Sequence, residues 1–211
     1  MNLGIEAITF ALVVPAELPD KTFISGVVLS SRYSALPVWI GAASGLIVQA
    51  GIAVVAGRLL SLLPHHIVEG VVAALFFAGA LYLLLVKEKT AIGEGEAIAT
   101  RQERALDKAD VQAVALGARS SQFRVVLTTF VIIAIAEFGD LTQILIANLS
   151  ARYREPLSVF IGASVAFIVV SGVGVALGRT ITRVLPLALI RKISGLALLA
   201  LGILSVVNAA T

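Results

Sequence analysis

The chain has 211 residues, of which 59% are hydrophobic and only 14% charged, with a mean hydropathy of +1.02. Soluble domains carry about 25% charged residues, so this composition excludes a water-soluble protein and defines a polytopic membrane protein. The net charge of +3 comes without a basic stripe interleaved with aromatics, which excludes a nucleic-acid partner, and the absence of cysteine excludes a disulfide framework and a thiolate metal site.

Six apolar runs are long enough to cross about 30 Å of hydrocarbon, which takes about 20 helical residues. They fall near 3–30, 37–60, 67–86, 124–149, 156–179 and 189–208. The predicted fold is therefore all-α, six transmembrane helices in a lipid bilayer, forming one unit because the spans must satisfy each other's polar groups. Met1 to Glu6 lacks the basic segment of a signal peptide, and the first run is too long for one, so it reads as a retained span. That run carries Pro15 and Pro19 around Glu17, and proline removes a backbone donor. The fourth run has Gly139 at the matching place, so both runs are predicted to be discontinuous helices. In the second and fifth runs Trp39-Ile40-Gly41-Ala42 answers Phe160-Ile161-Gly162-Ala163, and Gly57-Arg58 answers Gly178-Arg179. Such small residues let helices approach closely. The third and sixth runs match more weakly, through Gly70 and Gly195, then Gly79 and Gly202.

Between the halves, 87–123 is the one soluble-looking stretch. Its acids nearly balance its bases, and Ile98, Leu106, Ala109, Ala113 and Leu116 fit one face of a helix. The favoured reading is a solvated connector, partly helical, with a regulatory segment as the second reading. The expected organisation is a first three-helix repeat at 1–86, the connector at 87–123 and a second repeat at 124–211. Three is odd, so the second repeat enters the membrane from the opposite side. That gives inverted repeats, with a site at the midplane and alternate exposure by rocking of one repeat on the other. Twelve lysines and arginines fall on the connector's side and three (Arg58, Arg152, Arg154) on the other. By that asymmetry the connector is cytoplasmic and both termini lie outside.

Two heptapeptides organise the chemistry: Ala16-Glu17-Leu18-Pro19-Asp20-Lys21-Thr22 and Ala136-Glu137-Phe138-Gly139-Asp140-Leu141-Thr142. Each glutamate lies near the middle of its run, where a carboxylate costs about 2.5–3.5 kcal/mol on insertion scales. Spacing i, i+3 puts Glu17 with Asp20, and Glu137 with Asp140, on one helical face. Four such acids coexist only with a bound cation, with protons, or with both. Oxygen ligands without Cys or His select hard divalent ions: Mg²⁺, Ca²⁺ or Mn²⁺. Thr22, Thr142 and Gln143 add neutral oxygens, although a span threonine more often bonds its own backbone. Gln49, alone in an apolar stretch, is as well placed for an interhelical hydrogen bond as for ligation. Lys21 is either an internal counter-charge or a side chain snorkelling to the interface. Ser44 and Ser164 read as packing residues, and His65 and His66 as surface polarity. A purely structural reading, in which the acids glue helices through buried bases, founders on Lys21 being the single base near that depth. An intramembrane hydrolase lacks H-E-x-x-H and any histidine at depth. An exporter of small organic solutes would want a roomier, apolar site, and a passive channel fits poorly with a site between inverted repeats.

The doubled motif in this setting resembles the Gdt-type cation/proton exchangers, whose motif is E-x-G-D-[KR]-[TS] once per repeat and whose members include Golgi manganese/calcium transporters and bacterial manganese exporters. The resemblance covers all six runs. It implies that Glu17 and Asp20 form one half-site and Glu137 and Asp140 the other, with Lys21 and Thr22 filling the last motif positions of the first repeat. It further implies export of a divalent cation, Mn²⁺ first and Ca²⁺ second, in exchange for protons. No prosthetic group is implied, the expected membrane is a bacterial cytoplasmic one, and homo-oligomerisation is left open. Two positions depart from the pattern: Pro19 stands for the motif glycine and Leu141 for the basic residue, while all four acids are kept.

Overall fold

The computed structural model describes residues 1–18, 20–85, 88–115, 122–177 and 187–210, and among these it is entirely helical. The elements in chain order are α1 (Leu3–Glu17), α2 (Lys21–Ser30), α3 (Ala35–Leu60), α4 (His65–Leu85), α5 (Glu88–Ala115), α6 (Gln122–Ala136), α7 (Leu141–Tyr153), α8 (Pro156–Leu177) and α9 (Leu187–Ala210).

The first and fourth apolar runs are each divided into two helices, the discontinuity expected of both. By length and composition three described helices can cross a membrane alone: α3, α4 and α8. α6 with α7, bent by 74° at their junction, would make a fourth. The first apolar run is split into α1, of 15 residues, and α2, of 10. At 1.5 Å per residue neither piece spans the hydrocarbon alone. Within α9 the described stretch Gly195–Val207 is apolar.

The two helix breaks have a local cause and a common form. α1 starts on Asn2, whose side chain accepts from the Gly4 and Ile5 amides, and it runs through Pro15 to Glu17. The chain then turns, with the Asp20 amide donating to the Glu17 carbonyl at 3.1 Å. Asp20 is extended (φ −80, ψ 161) and opens α2 as its N-cap. Pro19 lies outside the described residues. In the second half the Asp140 amide donates to the Glu137 carbonyl at 3.3 Å, and Asp140 (φ −76, ψ 164) opens α7 in the same way. Gly139 makes that turn at φ +80, a conformation glycine adopts without strain.

The two halves are interleaved rather than separately packed. α3 lies against α6, α7 and α8, and α1 against α8. A Cβ on Gly41 would sit 2.6 Å from the Val126 carbonyl and 2.7 Å from Thr129 Cβ. On Gly162 it would sit 2.5 Å from the Glu6 carbonyl and 2.9 Å from Thr9 Cβ. These are the same contacts made in reciprocal halves, and only glycine permits them. α4 packs against α9, where Gly195 faces Leu84 and Gly202 faces Phe77. The core threads through all of these helices, from Val13 and Leu46 to Phe76, Ile133, Leu145 and Phe167.

The connector is not simply solvated. α5 lies along α2 and reaches α6, burying Ile98, Ala99 and Leu106. Ala109 is half-buried, and the side chains of Ala113 and Leu116 lie outside the described residues. At one end of the molecule Arg32 pairs with Glu103 at 2.9 Å and the Tyr33 hydroxyl donates to Asp107 at 3.4 Å. At the other end the Met1 amine lies 4.0 Å from Glu155, and Arg58, Ser61 and Arg154 share a recess. The Trp39 indole donates to the Ile168 carbonyl at 3.1 Å.

Candidate cation site at two helix breaks

Each break delivers one glutamate and one aspartate. Glu17 ends α1, Glu137 follows α6, and the aspartates cap α2 and α7. An N-cap aspartate ordinarily accepts from the amides of the first helical turn. Neither Asp20 nor Asp140 does so. Both carboxylates turn instead to Lys21, whose Nζ lies 3.5 Å from Asp20 Oδ2 and 3.2 Å from Asp140 Oδ2. The same ammonium lies 3.4 Å from Glu137. One cation from the first half therefore bridges three acids, two of them in the second half. Lys21 is a counter-charge and does not snorkel away.

Glu17, Asp20 and Glu137 each present an oxygen within 4.8 Å of the others, close enough for one ion to touch all three. Asp140 is not in that trio and joins it through Lys21. Glu17 and Glu137 are 1% and 3% exposed, so water does not solvate their charge. Glu137 accepts a hydrogen bond from the Thr22 hydroxyl. Thr142 faces Glu17 in the reciprocal position, yet neither Glu17 oxygen has a hydrogen-bond partner among the described residues. A buried carboxylate with no partner is costly, and a cation or a proton removes the cost.

The supporting glutamines stand elsewhere. Gln143 accepts from the Gly139 amide at 2.9 Å and donates to Gln49, which in turn donates to the Ala134 carbonyl. They satisfy backbone groups freed at the second break, as the interhelical reading of Gln49 requires. Ser44 bonds the Gly41 carbonyl of its own helix at 3.0 Å, in keeping with a packing role.

A cavity of about 350 Å³ adjoins the site, and Asp20, Lys21, Asp140, Thr142, Tyr82 and Glu94 are among the residues that line it. Glu94 was one of several acids in the connector, and nothing in its spacing singled it out. Glu69, buried at 1% on α4 with an unpartnered oxygen, was also missed. It lines a separate recess with Asn148, Arg152 and Arg154.

Apolar helices broken at buried acids, three of them bridged by one lysine, are the arrangement in which membrane transport proteins hold ions. The chain belongs to the divalent cation/proton antiporter GDT1 family, whose model matches residues 6–91 and 125–211. Both halves are thus matched, and the family is one of transporters, not enzymes. Among curated relatives, "Putative manganese exporter" of Vibrio cholerae is 29% identical over 202 residues, covering 93% of this chain and 88% of that protein. The "GDT1-like protein sll0615" of Synechocystis is 28% identical over 145 residues, 66% of each chain. No solved structure matches the chain.

Proposed function

We propose that the protein exports a divalent cation, Mn²⁺ in preference to Ca²⁺, in exchange for protons bound at Glu17, Asp20, Glu137 and Asp140. The observation that carries this reading is the convergence of Glu17, Asp20 and Glu137 within 4.8 Å at two breaks, with both glutamates buried. Oxygen donors of this kind suit a hard divalent ion, and the cavity beside Asp20 and Asp140 gives it a way in. The preference for manganese rests on the name of the Vibrio cholerae relative. The reciprocal contacts of Gly41 and Gly162 support two inverted repeats, 1–86 and 124–211, joined by 87–123. The basic-residue asymmetry supports a cytoplasmic connector and outer termini in a bacterial cytoplasmic membrane.

Coupling follows from competition. A metal binds the ionised carboxylates, so its arrival releases protons, and by reciprocity acidification weakens the metal. The test is flux in proteoliposomes under a pH gradient, comparing Mn²⁺, Ca²⁺ and Mg²⁺. Mn²⁺ flux should follow the gradient, and metal affinity should fall as pH drops from about 8 toward the ordinary carboxylate range near about 4. Glu17→Gln and Glu137→Gln should each cut exchange more than about tenfold, the low end for disturbing even the outer partners of a metal site. Metal affinity that is flat across that range, or full proton-coupled flux in both variants, contradicts the proposal.

A further inference from the structure

Of the described cavities, the one beside Lys21 joins the buried acids to the connector, a segment the motifs leave without a role. Its lining runs from Asp20, Lys21 and Asp140 to Tyr82 on α4 and Glu94 on α5. Glu94 is the exposed acid of this lining, and the Tyr82 hydroxyl donates to its Oε1 at 2.9 Å. That bond holds the carboxylate at the mouth of the cavity instead of leaving it to swing in solvent. The next residue fixes the helix that carries it. Gly95 is buried, and a Cβ there would lie 2.5 Å from Ile24 Cβ and 3.0 Å from the Lys21 carbonyl. The backbone of α5 is thus pressed on the first turn of α2, the turn that Asp20 opens.

We infer that Glu94 is the entry residue of the transport route: a carboxylate, oriented by Tyr82, that concentrates the hydrated divalent cation at the connector-side mouth and passes it toward Asp20 and Asp140. The inference rests on the cation-exchange reading of the buried acids. The physical basis is electrostatic focusing, in which a fixed charge at the neck of a low-dielectric cleft raises the local counter-ion concentration. Lys21 sharpens the need for such a residue. Its ammonium repels an approaching cation, and Glu94 is the exposed acid in the same lining.

The chain has no cysteine, so Glu94→Cys places a single thiol at the mouth. Mn²⁺ flux is measured in proteoliposomes against concentration on the connector side. Glu94→Gln and unmodified Glu94→Cys should raise KM about fivefold, roughly the Coulomb effect of one charge on a divalent ion several ångströms away in water, with the maximal rate retained. Modifying the thiol with a sulfonate-bearing methanethiosulfonate should restore the low KM. The trimethylammonium reagent should raise KM further. Added salt should shrink all these differences, since the effect is screened. A merely structural Glu94 would not distinguish the sign of the attached charge. Equal KM values for the two adducts, with wild-type flux intact and Glu17→Gln inactive, overturn the entry role and leave the exchange reading standing. A wild-type protein that moves no divalent cation overturns both.

Discussion

Lys21 occupies the position where a transported cation would be expected. It has a leucine, Leu141, as its counterpart in the second heptapeptide, so the site is symmetric in its acids and asymmetric in its base. With its ammonium 3.2–3.5 Å from Asp20, Glu137 and Asp140, the lysine holds the breaks of both halves together when no metal is bound. On the proposed exchange reading, a metal arriving among the same oxygens would compete with it, which would keep binding reversible enough for release. Replacing Lys21 with methionine therefore has two expected consequences. The cation-free protein should lose stability by about 3 kcal/mol, the low end for stripping the partner from a buried ion pair, because the lysine is partly exposed. The rise in Tm on adding Mn²⁺ should grow relative to wild type, since the metal would then meet no competing ammonium among these carboxylates. Thermal unfolding in detergent with and without Mn²⁺ reads both. An unchanged metal-induced shift would mean that the lysine and the ion do not compete.

The helices are governed by a few positions at which backbone or close contact leaves no choice. Gly162 meets backbone and Thr9 Cβ of α1 and cannot accept a side chain without moving a helix. Gly139 has open space around it and objects only through its φ of +80. Gly70 on α4 has neither constraint. The expected order of destabilisation follows: Gly162→Val worst, at about 1–3 kcal/mol or more for overpacking; Gly139→Ala next, at about 1–2 kcal/mol for a left-handed residue; Gly70→Ala neutral or stabilising, since alanine is the better helix former. Melting temperatures of the three variants check the order, and an equal loss for Gly139→Ala and Gly70→Ala would remove strain as its cause. The first two sites were legible as sequence. The Gly41/Gly162 match gave the close approaches, and the heptapeptides gave both breaks and all four acids. Hydropathy summed over a long run could not show that α1 and α2 are separate pieces, because a break of a few residues hardly alters the sum. The docking of α5 was illegible for another reason: its partners, from Ile24 to Tyr33, lie about 70 residues back in the chain, and no local pattern encodes so distant a surface. The Gln49–Gln143 bridge, 94 residues apart, is hidden for the same reason.

At the scale of the whole molecule, the interleaving of halves changes which bodies can move. Rocking of 1–86 against 124–211 would shear α3 from α6, α7 and α8 and α1 from α8 at once, through contacts only glycine permits. A different division is visible. α4 and α9 pack mainly on each other and touch the remaining helices lightly, at α7 and α1. Two cavities lie along that seam from opposite ends. One is the cavity of about 350 Å³ that reaches Asp20 and Asp140 from the connector side. The other is an apolar cleft of about 390 Å³ between α3, α4 and α7, running from Leu63 to Leu75 and ending at Gln143. Gly79 of α4 closes the seam near the site, where a Cβ would lie 3.2 Å from Leu198 Cδ1 and against the Leu141 methyls. Alternate exposure then requires the α4–α9 pair to shift on the other helices, with Gly79 passing close to Leu141 in at least one state. Gly79→Val is expected to wedge the seam. It should lower the maximal Mn²⁺ flux about tenfold, equivalent to about 1.4 kcal/mol on the barrier, while Mn²⁺ still raises Tm, because no carboxylate is touched. Gly79→Ala, which adds one methyl, should fall between. A Gly79→Val protein that transports at the wild-type rate would show that the seam stays shut throughout the cycle, and would return the motion to the interfaces among α1, α2, α3, α6, α7 and α8.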